Sequence, residues 1–398
     1  MKYLSEHQIK NKRVLLRTDY NVSLTKTHEI ADDKRIRLSL PTIMNILKHN
    51  NLLIILSHLG RPKGEDHALS LEPVRNKLSE LLPEYKVTLV KDFEKEQEIF
   101  ENQTPKDILL LENIRFYKGE EKNNNSFAKQ LSSLGDVYVN DAFSVDHRKP
   151  ASIVGITQFL PSYAGLSLEN ELKHLSRLLI HPPHPFVAVV GGGKISTKLT
   201  LLESLLSKVD TILLGGGLAT TCLAAKGFEI GKSISEPDLL PKAKHLIESS
   251  DGKLLLPVDV IVQTPQGEPQ TRIASDIQPD EMIRDIGPQT VSLFSEALQK
   301  ARTILWNGPV GFFEIPPFDR GTEEIYKAIV SNTSATKIVG GGDSLAALSK
   351  HKDFERKFTH VSTGGGAMLE FLENGTLPGI EALNNFALKT KIQTPRAK

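Results

Sequence analysis

Cysteine is almost absent from this chain, and its scarcity limits what the protein can be. A single cysteine, Cys222, excludes a disulfide within the chain, which fits a reducing compartment such as the cytoplasm. No cysteine–histidine cluster has the spacing of a zinc site. Because Cys222 lies in the helix-like run LATTCLAAKG, we expect it to be buried as a small apolar side chain.

Long hydrophobic runs and an excess of charge of one sign are also missing. The first residues, MKYLSEHQIKNKR, have no signal-peptide core, and no apolar run approaches the ~18 residues that span a bilayer. The net charge of +1 indicates no general affinity for nucleic acid or for a membrane surface. A length of 398 residues predicts two domains of ordinary size.

The chain does have a regular alternation of apolar strands and amphipathic helices, which predicts parallel sheets wrapped by helices. The expected strands are residues 14–16, 52–56, 87–90, 108–111, 137–139, 186–190, 211–214, 253–256, 303–306 and 337–339. Expected helices include residues 34–48, 71–82 and 126–134. Leucines at helical spacing over residues 167–180 predict a helix that connects two domains, and the prolines after it end it.

The stretch FVAVVGGGKISTK, residues 186–198, predicts a turn that binds phosphate. Three glycines after an apolar strand allow the backbone to turn sharply and approach a ligand, and the next helix start offers free N–H groups. The stretch is not a P-loop, because Ala188 stands where glycine is needed. It is not the dinucleotide fingerprint either, because Ser196 replaces the third glycine. The alternative is an ordinary tight turn with solvated lysines.

The two halves of the chain carry different residues at the ends of their strands. In the second half, four strands are followed by the glycine triplets 191–193, 215–217, 340–342 and 364–366. In the first half, polar and charged residues stand there instead: Arg17, Asp19, Asn21, His58, Arg61, Arg115, Asp141, His147 and Arg148. Ligands of open parallel sheets bind outside the C-terminal strand ends. One half therefore predicts a nucleotide held by backbone N–H groups, and the other predicts a small anion held by guanidinium groups.

Taken in order, these motifs resemble the phosphoglycerate kinase family. The resemblance covers about residues 13–380 and rests on residues 17–22, 57–62, 111–116, 141–143, the Lys194 loop, and residues 306–309, 340–344 and 362–367. It implies a glycolytic kinase that transfers the acyl phosphate of 1,3-bisphosphoglycerate reversibly to Mg-ADP, giving 3-phosphoglycerate and ATP. Transfer would be direct and in line, without a covalent enzyme intermediate. The implied protein is a cytoplasmic, hinge-bending monomer without nucleic-acid or membrane partners.

The resemblance also implies a fold and a division into domains. The expected fold class is α/β, with two Rossmann-like domains, each a mainly parallel sheet with helices on both faces, joined by a connector helix with a cleft between. Residues 1–165 would bind the acidic substrate, 166–181 would form the connector, 182–375 would bind nucleotide, and 376–398 would pack back on the first domain. Candidate hinges are residues 167–180 and 362–364.

The same resemblance implies the site residues. The catalytic residues would be Arg35 and Lys194. The acidic substrate would be bound by Asp19, Asn21, Arg35, His58, Arg61, Arg115 and Arg148. The nucleotide would be bound by Gly192, Gly193, Lys198, Gly215, Gly216, Asn307, Pro309, Glu314, Gly341, Gly342, Asp343 and Ser344. Asp343 would be the Mg²⁺ ligand; the alternative for this residue is a helix cap.

Some residues near these sites depart from the family pattern. The departures are Thr18, Tyr20 and Ser23 near Arg17, residues 144–146 and Pro150 around His147, Gly193 and Thr197 beside Lys194, and Ser344 for the usual threonine. They leave open a nucleotide-binding regulatory paralogue with impaired catalysis. A dehydrogenase with two Rossmann-like domains is a further alternative, although the missing fingerprint and the arginine cluster argue against it.

Overall fold

The computed structural model describes residues 1–393, and of residues 386–393 only the backbone. Contacts between residues divide the chain into two compact units: Met1–Lys173 with Thr376–Lys398 (unit 1), and His174–Gly375 (unit 2). Among the described residues, no helix combines the length and the hydropathy needed to cross a bilayer.

Unit 1 is built on one parallel sheet. Its strands are β1 (Arg13–Thr18), β2 (Leu52–Leu56), β3 (Lys86–Val90), β4 (Asp107–Leu111), β5 (Val137–Asp141) and β6 (Ser162–Ala164). Its helices are α1 (Lys34–Leu47), α2 (Glu72–Leu81), α3 (Gln97–Glu101), α4 (Lys118–Glu121), α5 (Asn125–Ser132) and the first part of α6 (Leu166–Leu179). The strand order is β3-β4-β2-β1-β5-β6, with every pair parallel.

Unit 2 contains a six-stranded parallel sheet and a three-stranded antiparallel sheet. Its strands are β7 (Phe186–Val190), β8 (Thr211–Leu214), β9 (Leu254–Leu255), β10 (Asp259–Gln263), β11 (Pro269–Ile273), β12 (Met282–Ile286), β13 (Thr303–Asn307), β14 (Thr336–Gly340) and β15 (His360–Ser362). The large sheet has the order β15-β14-β13-β7-β8-β9, and the small sheet has the order β11-β10-β12.

Helices complete both units. Unit 2 has α7 (Leu199–Leu206), α8 (Gly216–Ala225), α9 (Leu240–Ser249), α10 (Pro288–Lys300), α11 (Arg320–Ser331), α12 (Gly342–Leu348) and α13 (Gly366–Asn374), and α14 (Pro378–Gln393) belongs to unit 1. Short turns of 3-10 helix are Leu4–Glu6, His67–Leu69, Ile114–Phe116, Phe143–Val145, Ile156–Gln158, Ile195–Thr197, Pro237–Leu239 and Phe354–Lys357, and Ala151–Gly155 is a short π-helix.

The central strands of the two parallel sheets are largely apolar because helices cover both faces of each of these sheets. All five residues of β7 are buried, as is typical of a parallel sheet, and Trp306 on the neighbouring β13 is fully buried. The α/β fold with two mainly parallel sheets is confirmed, and each of the ten expected strands is present. The helix expected over residues 167–180 is α6, and Asp141 accepts from its Ser167 and Leu168 N–H groups at 2.8 and 3.0 Å.

The ten expected strands did not include the antiparallel sheet, β6 or β15. Strand β11 has the sequence PQTRI and is largely exposed, so it lacks an apolar run or a buried face. Strand β12 carries Arg284 and Asp285, and β6 has only three residues. Such strands are stabilised by their neighbours rather than by a pattern of their own.

The strand order fixes where each unit can hold a ligand. In unit 1 the order changes direction at β1, which pairs with β2 on one side and β5 on the other. In unit 2 it changes direction at β7, between β13 and β8. A crevice forms outside the C-terminal strand ends at such a point. Arg17 and Asp19 lie at one of these points, and the triplet 191–193 lies at the other.

Candidate functional site

The site in unit 1 begins where β1 ends, with Asp19. Its Oδ2 atom accepts hydrogen bonds from Arg35 and from the Ser144 hydroxyl, and its Oδ1 atom accepts from the Asn21 N–H at 2.9 Å. Burial would raise the pKa of Asp19, but the neighbouring His58 ring, the charge of Arg35 and the bond from Ser144 hold it below the usual range. Asp19 is therefore an anion at neutral pH, and it orients Arg35.

The loop after β2 is held from two sides. The Asn21 Oδ1 atom accepts a hydrogen bond from the Gly60 N–H at 2.8 Å, and Arg115 donates to the Gly60 carbonyl at 2.5 Å. Gly60 has φ of +64°, where a side chain would be strained, and a Cβ there would lie 2.8 Å from Leu69. Next to it, Arg61 is exposed and forms no ion pair with any residue that the structure describes. Its guanidinium group is therefore available to a ligand.

Positive charge exceeds negative charge in this site. Burial, together with repulsion from Arg17 and Arg148, lowers the pKa of Arg115 to about 10. Burial and the charge of Arg17 keep the pKa of His58 well below its ordinary value, although Asp19 opposes this. Arg148 lies beside His147, with 3.3 Å between its Nε atom and the His147 Nε2 atom. A bound anion would relieve the repulsion among these groups.

Arg17 does not occupy the position that the sequence indicated. Its place after a strand, ahead of Asp19 and Asn21, suggested a group that could bind an acid directly. The structure buries Arg17 to 1% exposure, and its Nε, Nη1 and Nη2 atoms hydrogen-bond within the protein to Ser152, the Thr18 carbonyl and His58. The side chain turns inward to Ser152 and His58, both of which are also buried.

The site in unit 2 is centred on Lys198. Its ammonium group donates hydrogen bonds to the carbonyl oxygens of Gly191 at 2.6 Å and Asn307 at 3.0 Å. Burial lowers the pKa of Lys198 to about 8, and the charge of Asp343 partly opposes this. Lys194, by contrast, is exposed and forms no ion pair in the described part of the chain, although its charge acts on the Glu236 carboxylate.

Several triplet glycines are needed for packing. A Cβ on Gly191 would lie 1.9 Å from the Pro309 carbonyl oxygen, and one on Gly217 would lie 2.2 Å from the Gly193 carbonyl oxygen. Gly216 has φ of +63°, where other residues are strained. Gly193 differs, because a Cβ there would meet nothing within 4 Å. The loops after β7, β8 and β13 thus contact one another through bare backbone.

A cavity of about 170 Å³ adjoins these loops. Six of the predicted nucleotide residues line it: Gly192, Gly193, Gly216, Pro309, Glu314 and Asp343. Sequence reasoning missed its apolar and aromatic walls, which include Ala219, Leu223, Val260, Ile283 and Phe312. Their only signal was an apolar α8 after a glycine triplet. Sequence reasoning also missed Arg284, whose guanidinium group lies 4.7 Å from the centre of the Phe312 ring.

The remaining predicted nucleotide residues, Lys198 included, do not line this cavity. The Ser344 hydroxyl accepts from the Gly308 N–H at 2.6 Å and donates to the Gly340 carbonyl at 3.0 Å. Asn307 donates to the same carbonyl at 2.8 Å, and its buried Oδ1 atom has no partner among the described residues. These two side chains hold the loops after β13 and β14 together. Gly215, Gly341 and Gly342 form the neighbouring turns.

Asp343 is suited to share a magnesium ion with a nucleotide. It is exposed in the first turn of α12 and lines the same cavity as Gly192. No side chain caps the start of α12, which argues against the capping alternative. Magnesium commonly takes one or two protein carboxylates and completes its shell with water and phosphate oxygens. Within residues 1–393, no group of three histidine, cysteine or acidic residues could hold a metal on its own.

Cys222 is buried and free, as expected from the sequence. Burial raises the pKa of its thiol to about 12, so it carries almost no thiolate at neutral pH. This places it in the core of unit 2 rather than in the chemistry of the site.

Comparison with known proteins points to one family. The sequence model described as phosphoglycerate kinase matches residues 4–375. The phosphoglycerate kinases of Dictyoglomus turgidum and Pelotomaculum thermopropionicum are both 46% identical, and each match spans 96% of this chain and 98% of the relative. The solved phosphoglycerate kinase of Coxiella burnetii has a TM-score of 0.88 at 41% identity, over 97% of this chain and 98% of that one. The Pyrococcus horikoshii structure gives 0.85 at 32% identity, over 98% and 100%.

Proposed function

The chain belongs to the phosphoglycerate kinase family, and from that premise we propose which of its residues perform the reaction. It is a glycolytic kinase that uses a carboxyl group as acceptor. The comparisons give no support to the impaired regulatory paralogue, and the family match over residues 4–375 argues against the dehydrogenase.

The excess of arginines over carboxylates at the strand ends of unit 1 carries the assignment of the acidic substrate. Arg35 pairs with Asp19 and Arg115 lies 3.6 Å from Glu121, but Arg61 forms no ion pair with a described residue. We propose that 3-phosphoglycerate binds there through Asp19, Asn21, Arg35, His58, Arg61, Arg115 and Arg148. The phosphate would be bound by the arginines, whose planar donors match its oxygens, and by the His58 imidazole. Asp19 and Asn21 would accept from and donate to the substrate hydroxyl.

Lys198 supports the assignment of the nucleotide. A partly buried cation whose hydrogen-bond partners are two neutral carbonyl groups is costly unless an anion neutralises it. We propose that nucleotide phosphate supplies that anion at residues 191–198, while the base enters the apolar cavity beside Phe312 and the ribose contacts Glu314. Magnesium held by Asp343 would neutralise phosphate charge when it is bound.

The chemistry requires no protein nucleophile. We propose direct in-line transfer between substrate carboxylate and nucleotide, in which Arg35 and Lys194 stabilise the charge on the transferred group. Lys194 is exposed and forms no ion pair with a described residue, so its long side chain can follow that group. Arg35 is held by Asp19, which pre-orients its guanidinium group.

The decisive experiment is a coupled assay of ATP formation from ADP and 1,3-bisphosphoglycerate. We expect turnover that requires magnesium and is lost in Arg35→Ala, with direct ADP titration as the control for folding. A protein that binds ADP without forming ATP would be a regulatory paralogue, contrary to the proposal.

The metal assignment has its own test in Asp343→Asn, which keeps the size of the side chain and removes its charge. We expect weaker Mg-ADP affinity and an unchanged melting temperature, because Asp343 is exposed and caps no helix. Calorimetric titration with and without magnesium measures the first, and thermal denaturation measures the second. A lower melting temperature with unaltered Mg-ADP affinity would assign Asp343 a structural role.

The proposal extends to the state of the protein in the cell. We propose a cytoplasmic monomer that bends at residues 167–180 and 362–364 during turnover. Sedimentation velocity at micromolar concentration tests the monomer, and a dimeric species would contradict it.

A further inference from the structure

Four buried polar side chains lie behind the anion site of unit 1 and are linked in series. Arg17 donates from Nε to the Ser152 Oγ atom at 2.9 Å, and its Nη2 atom lies 3.2 Å from the His58 Nδ1 atom. Ser152 in turn donates from Oγ to the Glu120 carboxylate at 2.5 Å. All four side chains are buried, with exposures between 0% and 3%. The roles proposed above use only His58 of this series.

The direction of every hydrogen bond in this series follows from the chemistry of arginine. A guanidinium group only donates and stays protonated, so both the Ser152 hydroxyl and His58 Nδ1 must accept from Arg17. Ser152 must therefore give its own proton to Glu120. Both Glu120 oxygens accept from Ser152, one from the hydroxyl and one from the N–H at 2.9 Å. Burial raises the pKa of Glu120, while the charge of Arg17 and these two donors oppose the rise.

A second consequence concerns the proton on His58. A neutral imidazole carries one N–H, and a ring nitrogen that accepts from Arg17 cannot carry it. The proton is then on Nε2. Arg17, Arg115 and Arg35 all disfavour a second proton on the ring, and Asp19 is the group that favours one. Burial also disfavours the charged form of the ring, so His58 stays neutral.

We propose that Glu120, Ser152 and Arg17 are positioning residues that hold His58 as its Nε2–H tautomer, so that it presents a fixed donor to the phosphorylated acid. The part of the proposal in which His58 binds the substrate rests on the proposed function. The assignment of the tautomer does not depend on that function. An asparagine or glutamine at position 58 would always offer an amide N–H as donor. A histidine without a fixed hydrogen-bond partner would instead divide its single proton between its two ring nitrogens. The series therefore explains how a buried histidine can act as a dedicated donor.

The test is nitrogen-15 NMR of the histidine rings in the full-length protein without ligand. We expect Nδ1 of His58 to be unprotonated and Nε2 protonated from pH 6 to 8, without titration. In Ser152→Ala, Arg17 loses one of its three hydrogen-bond partners, which are Ser152, the Thr18 carbonyl and His58, so we expect mixed tautomers. The KM for 3-phosphoglycerate should then rise about fivefold, the effect of one hydrogen bond, while kcat changes less than twofold. Arg17→Lys, which keeps the charge without the fork, should give the same mixture.

The matched control is Ser162→Ala, since Ser162 is a buried serine of the same unit that donates to the Leu160 carbonyl. It should leave the His58 tautomer unchanged. The proposal is overturned if Nδ1 of His58 is protonated in the unaltered protein, or if Ser152→Ala behaves like Ser162→Ala in both readouts. If the tautomer is as expected but 3-phosphoglycerate leaves the His58 signals unmoved, the positioning series stands and the substrate assignment of His58 fails.

Discussion

At the scale of single residues, two lysines on one loop lie in opposite environments. Lys198 is partly buried, with its ammonium group against two carbonyl oxygens, whereas Lys194 is exposed and forms no ion pair with a described acidic group. A fixed cation suits the binding of a ground-state phosphate, and a free one suits a group that moves. Sequence spacing cannot separate them, because both come after the same glycine triplet.

We expect Lys194→Ala and Lys198→Ala to have opposite effects on binding and turnover. Loss of a donor used mainly in the transition state typically costs about a hundred- to a thousandfold in turnover, so Lys194→Ala should lose that while its ADP Kd changes only a few-fold. Lys198→Ala should weaken ADP binding more than it lowers kcat. Steady-state kinetics with direct ADP titration measures both. Near-normal kcat in Lys194→Ala would leave the transition-state charge to Arg35 and Lys198.

The pKa of Lys198 near 8 makes ADP binding depend on pH. Below that pH the ammonium group is already charged, and above it the free protein has lost the proton that phosphate binding restores. The affinity for ADP should therefore fall as pH rises through about 8. Near pH 8.5, the binding of ADP should be accompanied by the uptake of a proton by Lys198. Calorimetry in buffers of different ionisation enthalpy measures the uptake. Lys198→Arg stays charged and should remove it; an uptake that survives this change belongs to another group.

At the scale of elements, the glycine triplets combine two kinds of position. Gly191 packs its α-carbon against the Pro309 carbonyl, but Gly193 faces open space. Gly193→Ala should therefore leave the melting temperature within about 1 °C, whereas Gly191→Ala should lower it by roughly 5–10 °C, since overpacking of this kind costs about 2–3 kcal/mol. Thermal denaturation of the full chain compares the two variants. Equal melting temperatures would show that the loops after β7 and β13 separate easily.

The strands and loops also show how much of the structure could be predicted from the sequence. Every expected strand is present because buried parallel strands are continuous apolar runs, and the triplet 191–193 follows β7, the strand at the switch point of unit 2. Burial of Arg17 could not be predicted, since its partner Ser152 is 135 residues away in sequence. By pattern alone, Arg17 and the exposed Arg61 are both arginines close after a strand. The walls of the cavity were missed for the same reason: Leu223, Ile283 and Phe312 meet only in the fold.

At the scale of the whole molecule, positive side chains and bare backbone are divided between the two units. The arginine cluster belongs to unit 1, which contains Met1–Lys173, and the four glycine triplets belong to unit 2, His174–Gly375. Each group lies at the switch point or the neighbouring strand ends of its own sheet. If the proposed division of ligands is correct, each ligand alone should order a different unit.

Hydrogen exchange of the full-length protein tests this division without cutting the chain. Bound 3-phosphoglycerate should slow exchange at residues 18–21, 57–61 and 113–116, because its anionic groups order the arginine-bearing loops. Mg-ADP should slow exchange at residues 191–198, 215–218 and 341–344. At a fixed ADP concentration, Lys198→Ala should lose much of the protection that Mg-ADP gives. It should keep the protection that 3-phosphoglycerate gives, which controls for a general loss of order. Protection of residues 57–61 by Mg-ADP alone, in a protein that retains ATP formation, would contradict the assignment of the two ligands to separate units.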